Sequence, residues 1–152
     1  MVLKLESERL ILRTFEPGDV PAFAAYRSDP EVARYQGWSA PYSEEQAAAF
    51  VRAVRRVKPG AAGKWRQLAI QVKAGGGLAG DCAFCVQSGD PRQATIGLTL
   101  AQSFQGRGYG HEAMTRLLDY LFFELKLHRV RADCDVLNEP AYRSLEKLGL
   151  RR

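Results

Sequence analysis

The order of periodic segments along the chain predicts a mixed α/β fold: a mostly antiparallel sheet with one parallel β-α-β crossover and helices on both faces. Three observations carry this. Alternating strands at 68–72, 78–86 and 94–100 are joined by turn-length connections, which argue for antiparallel hairpins. A wide apolar helix then separates the third of these from a further strand, the arrangement of a parallel crossover. Amphipathic helices before the hairpins and at the end of the chain supply cover for the sheet.

RLILRTF (9–15) is an apolar-rich strand, and 17–30 reads as a short helix between breakers with Val20, Phe23 and Ala24 on one side. In PYSEEQAAAFVRAVRRVKPG, Ser43 and Gln46 form a capping box, Ala47, Phe50, Val51, Val54 and Val57 form the stripe, and Pro59-Gly60 stops the helix. Leu68, Ile70 and Val72 alternate, GGG at 75–77 turns the chain, and Leu78, Gly80, Cys82, Phe84 and Val86 alternate in turn. SGDPR (88–92) is another turn, after which Ile96, Leu98 and Leu100 alternate with Thr95, Gly97 and Thr99. A long helix then runs to about Leu125, with rows Ala113, Leu117, Leu121, Leu125 and Met114, Leu118, Phe122. HRVRADCDV (128–136) is a strand with Val130, Ala132, Cys134 and Val136 on one face. The last helix has Asn138 as N-cap, Ala141, Leu145 and Leu148 as its buried row, and Gly149 as C-cap.

The chain has 152 residues, enough for one domain with a core. Its 46% hydrophobic and 26% charged residues are ordinary for a globular protein. No apolar run approaches the ~20 residues of a membrane span, and MVLKLESERL is too short and too charged for a signal peptide. The expectation is a cytoplasmic protein with no membrane partner. The net charge of +5 is dispersed, and Arg52, Arg55, Arg56 and Lys58 read as a solvated helix face, so no nucleic-acid partner is expected. A modest basic surplus also suits a small polyanion. DCAFC contains a CxxC, but residues three apart on a strand face opposite ways and one metal could not hold both; no metal site is expected. Cys134 reads as a buried small residue.

SFQGRGYGHEAM (103–114) spends Gly106, Gly108 and Gly110 at the mouth of a helix, where glycine is costly in conformational entropy. A P-loop needs Lys and Ser or Thr after the last glycine, and this chain has His111 and Glu112. Gly108-x-Gly110-x-x-Ala113 fits a dinucleotide fingerprint, with Asp133 or Asp135 at ribose distance, but the antiparallel context is wrong for it. The remaining reading is a pyrophosphate held by a helix N-terminus, with glycines clearing the approach and Arg107 adding charge.

Gln105-Gly106-Arg107-Gly108-Tyr109-Gly110 resembles the Q/R-x-x-G-x-G/A acetyl-CoA motif of the GNAT N-acetyltransferases. QGRGYGHEAM, LHRVRADCDVLNEPAYRSLEKLGL, LESERLILRTFEPGDVPAF and SDPEVARY together resemble the branch of ribosomal-protein alanine and serine N-terminal acetyltransferases, over nearly the whole chain. The resemblance implies a GNAT fold in a single domain, 1–152, lacking the last two strands of the family's sheet. An uncovered edge strand is a pairing hazard, which adds a homodimer to the expectations.

The resemblance further implies acetyl-CoA as cofactor. Leu98, Thr99 and Leu100 would lie nearest the pantetheine arm. The N–H groups of Gln105, Gly106, Arg107, Gly108, Tyr109 and Gly110 would hold the pyrophosphate. Asn138, otherwise a helix cap alone, would touch the pantetheine where the parallel strands part. The expected reaction is direct attack of an amine on the thioester, a strand N–H stabilising the oxyanion. The chain departs from its relatives at Thr95, Ala141 and Leu145, where many carry Glu, Ser and, in other branches, a Tyr acid. Tyr142, one turn from Asn138, is the substitute acid or else packs at the core edge. Tyr35, Trp38 and Tyr42 lie in the segment that walls the acceptor site, or belong to the core. His111 reads as a surface residue, His128 as a cap or strand start, and Glu112 as structural. The expected acceptor is a protein N-terminal α-amine or a small-molecule amine. The competing function is a non-catalytic acyl-CoA binder, supported by the missing Glu, Ser and Tyr.

Overall fold

The protein is described from a computed structural model that covers residues 2–134 and 137–151. Strands β1 (Lys4–Glu6) and β2 (Leu10–Arg13) form an antiparallel hairpin at the start. Helices α1 (Val20–Arg27), α2 (Pro30–Ala33) and α3 (Glu44–Val54) follow. Three strands come next: β3 (Trp65–Val72), β4 (Leu78–Val86) and β5 (Gln93–Leu100). Helix α4 (Tyr109–Asp119), strand β6 (Arg129–Ala132) and helix α5 (Glu139–Lys147) complete the described chain. The six strands form one sheet in sequence order, antiparallel throughout except for the parallel β5–β6 pair.

Alternation divides the sheet's side chains between two clusters. Leu10, Leu12, Leu68, Ile70, Cys82, Phe84 and Ile96 pack with Ala113, Met114, Leu117 and Leu121 of the α4 side. Phe15, Phe23, Val32, Ala47, Val51, Val54 and Ala69 form a second cluster under α1 and α3. Helices therefore cover both faces, and each fully buried aliphatic or aromatic side chain contributes ~1.5–3 kcal/mol. The α3 capping box forms as the sequence implies: Gln46 N–H donates to Ser43 Oγ (3.0 Å) and Ser43 N–H to Gln46 Oε1 (2.8 Å). Buried Arg66 receives the other end of α3, donating to the carbonyls of Val54 (3.0 Å) and Val57 (3.2 Å) and to Thr14 Oγ1 (2.6 Å).

Five readings are corrected. The structure adds β1, which three residues with one buried leucine do not signal by periodicity. In β4 the register against β3 shifts between Ile70 and Gln71, so Leu78 packs with the α1/α3 cluster and Ala79 enters the α4 cluster. A bulge of this kind reverses the facing of every residue beyond it. α4 changes to π-helical bonding at Tyr120–Glu124. The wider turn brings Tyr120 inward and leaves Phe122 37% exposed, outside the row predicted for it. β6 ends at Ala132, so Cys134 is exposed rather than buried; Asp135 and Val136 lie outside the described residues. Ala141, Leu145 and Leu148 are only half-buried, because α5 faces a cleft rather than the core. The two CxxC cysteines do separate: Cys82 is buried in the α4 cluster and Cys85 half-buried outside it.

Candidate functional site

The site follows from a mismatch of strand lengths. The β5–β6 ladder ends at Ile96↔Ala132, while β5 continues to Leu100. Beyond that pair the strands part, and Gly97 to Leu100 have no ladder partner on this edge among the described residues. A cleft of about 1320 Å³ fills the gap. It is lined by β5 from Ile96 to Leu100, the glycine turn, the α4 face from Gly110 to Asp119, Ala132 to Cys134, Asn138, α5, and Glu31 to Gln36 beside α2.

The three glycines have three different causes. Gly106 (φ +76°) has nothing within 4 Å of the place a Cβ would occupy, so the turn is open to the cleft there. Gly108 (φ +80°) is the N-cap of α4 in the left-handed region, beside the Arg9 guanidinium. Gly110 allows close helix–strand packing: a Cβ would meet the methyls of Leu98 at 3.1 Å and Leu100 at 3.2 Å. The first amides of α4 and the positive end of its dipole therefore border the cleft at a point cleared of side chains. Gln105 braces the turn, its Nε2 donating to the Leu100 carbonyl (3.1 Å).

Sequence reasoning missed Arg9 and Ser7, which hold this turn from the other end of the chain. Glu112 accepts from Ser7 Oγ (2.5 Å), Arg9 N–H (2.8 Å) and Arg9 Nε (2.7 Å). Arg9 Nη1 donates to the Arg107 carbonyl (3.0 Å), and its guanidinium lies 4.5 Å from the Tyr109 ring centre. Partial burial pushes the Glu112 carboxyl up, but the Ser7 and Arg9 hydrogen bonds outweigh it and hold the group below its usual range. The SER of residues 7–9, quoted above within a longer stretch, was the available signal.

The structure brings Leu98, Thr99, Leu100, Gln105, Gly106, Gly108, Gly110, Asn138 and Tyr35 to one cleft. Arg107 and Tyr109 belong to the turn without lining the cleft; their contacts are with Arg9 and Phe104. Asn138 caps α5, its Oδ1 accepting from Ala141 N–H (3.3 Å), while the residue faces the cleft. Two of the expected residues are not among those that line the cleft. Tyr142 does not line the cleft; Pro140, Ala141, Ser144, Leu145 and Leu148 do. Tyr142 is half-buried one turn from Asn138, its N–H donating to the Asn138 carbonyl (3.3 Å). Trp38 also stands apart from the cleft. Its ring centre lies 3.9 Å from the Arg27 guanidinium, and Nε1 donates to the Arg27 carbonyl (2.9 Å). Phe23, Tyr42 and Phe50 complete that cage around Arg27. His111 is exposed at the cleft margin.

Comparison with known proteins shows the family and the fold. The family model described as "Acetyltransferase (GNAT) domain" matches residues 9–151. The N-acetyltransferase YnaD of Bacillus subtilis (strain 168) is 33% identical over 150 residues, covering 99% of this chain and 84% of its own. A GNAT-family acetyltransferase structure from Bacillus anthracis superposes with a TM-score of 0.86 at 32% identity, over 99% of this chain and 84% of that one. Mycobacterium smegmatis RimJ, solved in complex with CoA-disulfide, shares the fold with a TM-score of 0.81 at 22% identity, over 99% and 75% of the two chains.

Proposed function

The chain belongs to the GNAT acetyltransferase family and is an N-acetyltransferase; from that premise we propose that it carries acetyl from acetyl-CoA to a primary amine, favouring a protein N-terminal α-amine over side-chain amines. The observation that carries the reading is the open glycine turn at the N-terminus of α4, continuous with the unpaired edge of β5. The turn suits a diphosphate: Gly106 leaves free space, and helix amides attract anions. The amides of Gln105 to Gly110 would hold the diphosphate, the backbone of Leu98, Thr99 and Leu100 would run beside the pantetheine arm, and Asn138 would meet it where the strands part. RimJ, a structural neighbour, was solved with a CoA derivative, which supports the same ligand class here.

When bound, acetyl-CoA would supply an acyl carbon activated by sulfur and open to a neutral amine, with the thiolate as leaving group and the amine's surplus proton going to water. A backbone N–H of β5 beyond the end of the β5–β6 ladder would stabilise a developing oxyanion. The sequence positions at Thr95, Ala141 and Leu145 offer no carboxylate, hydroxyl or phenol in the expected places, and Thr95 Oγ1 accepts from Arg131 Nε (3.3 Å). With none of these three groups at its expected position, the acceptor's own pKa sets how much neutral amine is available. An α-amine near ~8 is about a tenth neutral at pH 7, a cost of ~1.4 kcal/mol, against ~4.6 kcal/mol for a lysine near ~10.4.

Two measurements test this. Gly106→Asp and Gly106→Asn differ by one charge at the same left-handed position, which both residues tolerate. The Asp variant is expected to bind CoA about tenfold more weakly than the Asn variant in titration calorimetry; equal affinities would remove the diphosphate from this turn. With a peptide carrying one free α-amine and one lysine, mass spectrometry is expected to find the α-amine acetylated at least ~10 times faster at pH 7. Faster lysine acetylation overturns the acceptor preference. Tight CoA binding with no acetylation of any amine in a peptide panel would instead support an acyl-CoA sensor.

A further inference from the structure

Six polar or charged side chains are buried in the described chain, and five are engaged inside it. Thr14 meets Arg66, Asp19 pairs with Arg13, Asp81 accepts from Tyr26 and Gln67, and Arg27 lies among aromatic rings. Thr99 differs. It is 7% exposed, it lines the cleft, and its hydroxyl makes no hydrogen bond among the described residues. The hydroxyl is not among the fully buried unpartnered atoms, so it stays open to the cleft, where a ligand N–H can take the place of solvent.

The strand register says which ligand. Ile96, Leu98 and Leu100 pack toward α4, the side of the glycine turn. Thr99 stands on the other face, opposite Asp81 of β4, whose partner Tyr26 belongs to α1. Glu31, Val32 and Tyr35 reach the same cleft from the α2 region. The position is also rigid: a Cβ on Gly80 would fall 2.0 Å from the Thr99 carbonyl oxygen, so β4 presses directly on this peptide.

We propose that the Thr99 hydroxyl is a contact for the acceptor rather than the cofactor: it accepts an N–H of the attacking primary amine and so holds the nitrogen beside the parted strands. This rests on the acetyl-transfer reading above. The hydroxyl takes no proton from the amine; it fixes the direction of the nitrogen lone pair. Proximity of this kind raises the rate without acid–base chemistry by the side chain.

Thr99→Val removes the hydroxyl and keeps the shape, while Thr99→Ser keeps the hydroxyl. The probe acceptor is a lysine-free peptide with a free α-amine, followed by mass spectrometry, with CoA affinity measured by calorimetry on the same samples. The Val variant is expected to lose about tenfold in kcat/KM for the peptide with CoA Kd within about twofold of the parent, and the Ser variant to stay within about threefold. Unchanged kcat/KM in the Val variant overturns the proposal. So does a parallel loss of CoA affinity, which would make the hydroxyl a cofactor contact while leaving acetyl transfer intact. Failure of the Ser variant to recover activity overturns it as well. A parent protein that binds CoA and acetylates nothing defeats the proposed function, and this inference with it.

Discussion

Gly80→Ala is expected to lower stability by ~4 kcal/mol or more, at the extreme of single substitutions. The cause is geometric. The added methyl would sit 2.0 Å from the Thr99 carbonyl oxygen and 2.9 Å from the Leu100 Cα, both backbone atoms in the neighbouring strand. No rotamer can move them aside, so β4 and β5 must separate where their pairing meets the cleft. At ~2–4 °C per kcal/mol for a domain of this size, the melting temperature should fall by roughly 8–16 °C. Because Thr99 and Leu100 edge the proposed site, CoA binding should fail in whatever folded fraction remains. Gly97→Ala is the control: it lies on β5 with nothing within 4 Å, and its change should stay within ~1 kcal/mol. Equal melting temperatures for the two variants would show that the sheet yields at Gly80 and that the close approach is not required.

Glu112→Gln carries the second large effect. The Glu112 carboxylate gathers three donors from the β1–β2 hairpin and holds the glycine turn through Arg9 and the Arg107 carbonyl. Hydrogen bonds to a charged group are worth ~1.5–3 kcal/mol, so the neutral variant should lose ~2 kcal/mol near pH 7. The pH dependence follows from the direction of the shift. The folded-state pKa lies below the ordinary value of 4.5, so the folded protein binds fewer protons than the unfolded chain between the two values. The carboxylate's contribution is therefore complete above about pH 5 and disappears as pH falls through the folded pKa. Melting curves of parent and variant should differ at neutral pH, and the gap should narrow as pH falls below the ordinary carboxylate value of 4.5. A gap that does not narrow as the solution is acidified would mean that the carboxylate's charge is not what holds the hairpin. CoA affinity should fall in the variant too, as the turn loses its brace.

The residues that were legible in advance share one property: their cause lies within a few positions. Ser43 and Gln46 cap α3 from three residues apart, and Asn138 caps α5 in the same way. Leu68, Ile70 and Val72 reveal their strand by alternation alone. The glycine turn announced an approach to backbone, although only Gly106 proved open; Gly110 serves the packing of α4 on β5. The misjudged positions depend on partners far away in the chain. Phe122 turned outward because one π-helical turn shifted the phase of α4. Leu78 changed face because a bulge formed against β3. Trp38 stands away from the cleft because Arg27 draws it into its own cage.

By itself, then, the amino-acid order determined the kinds of element, their succession, the antiparallel hairpins followed by one parallel pair, and the anion-ready start of α4. Hydrophobic period, turn chemistry and capping act over a single turn of chain, and they need no knowledge of distant neighbours. Only the tertiary structure decided that Arg9 and Ser7 anchor the glycine turn, that Gly80 presses on Thr99, and that β6 ends early enough to open a cleft. Each of these depends on two segments meeting across the sheet, 19 positions apart for Gly80 and Thr99 and 103 for Arg9 and Glu112. Steric exclusion and hydrogen bonding at such separations exist only once the strands are in register.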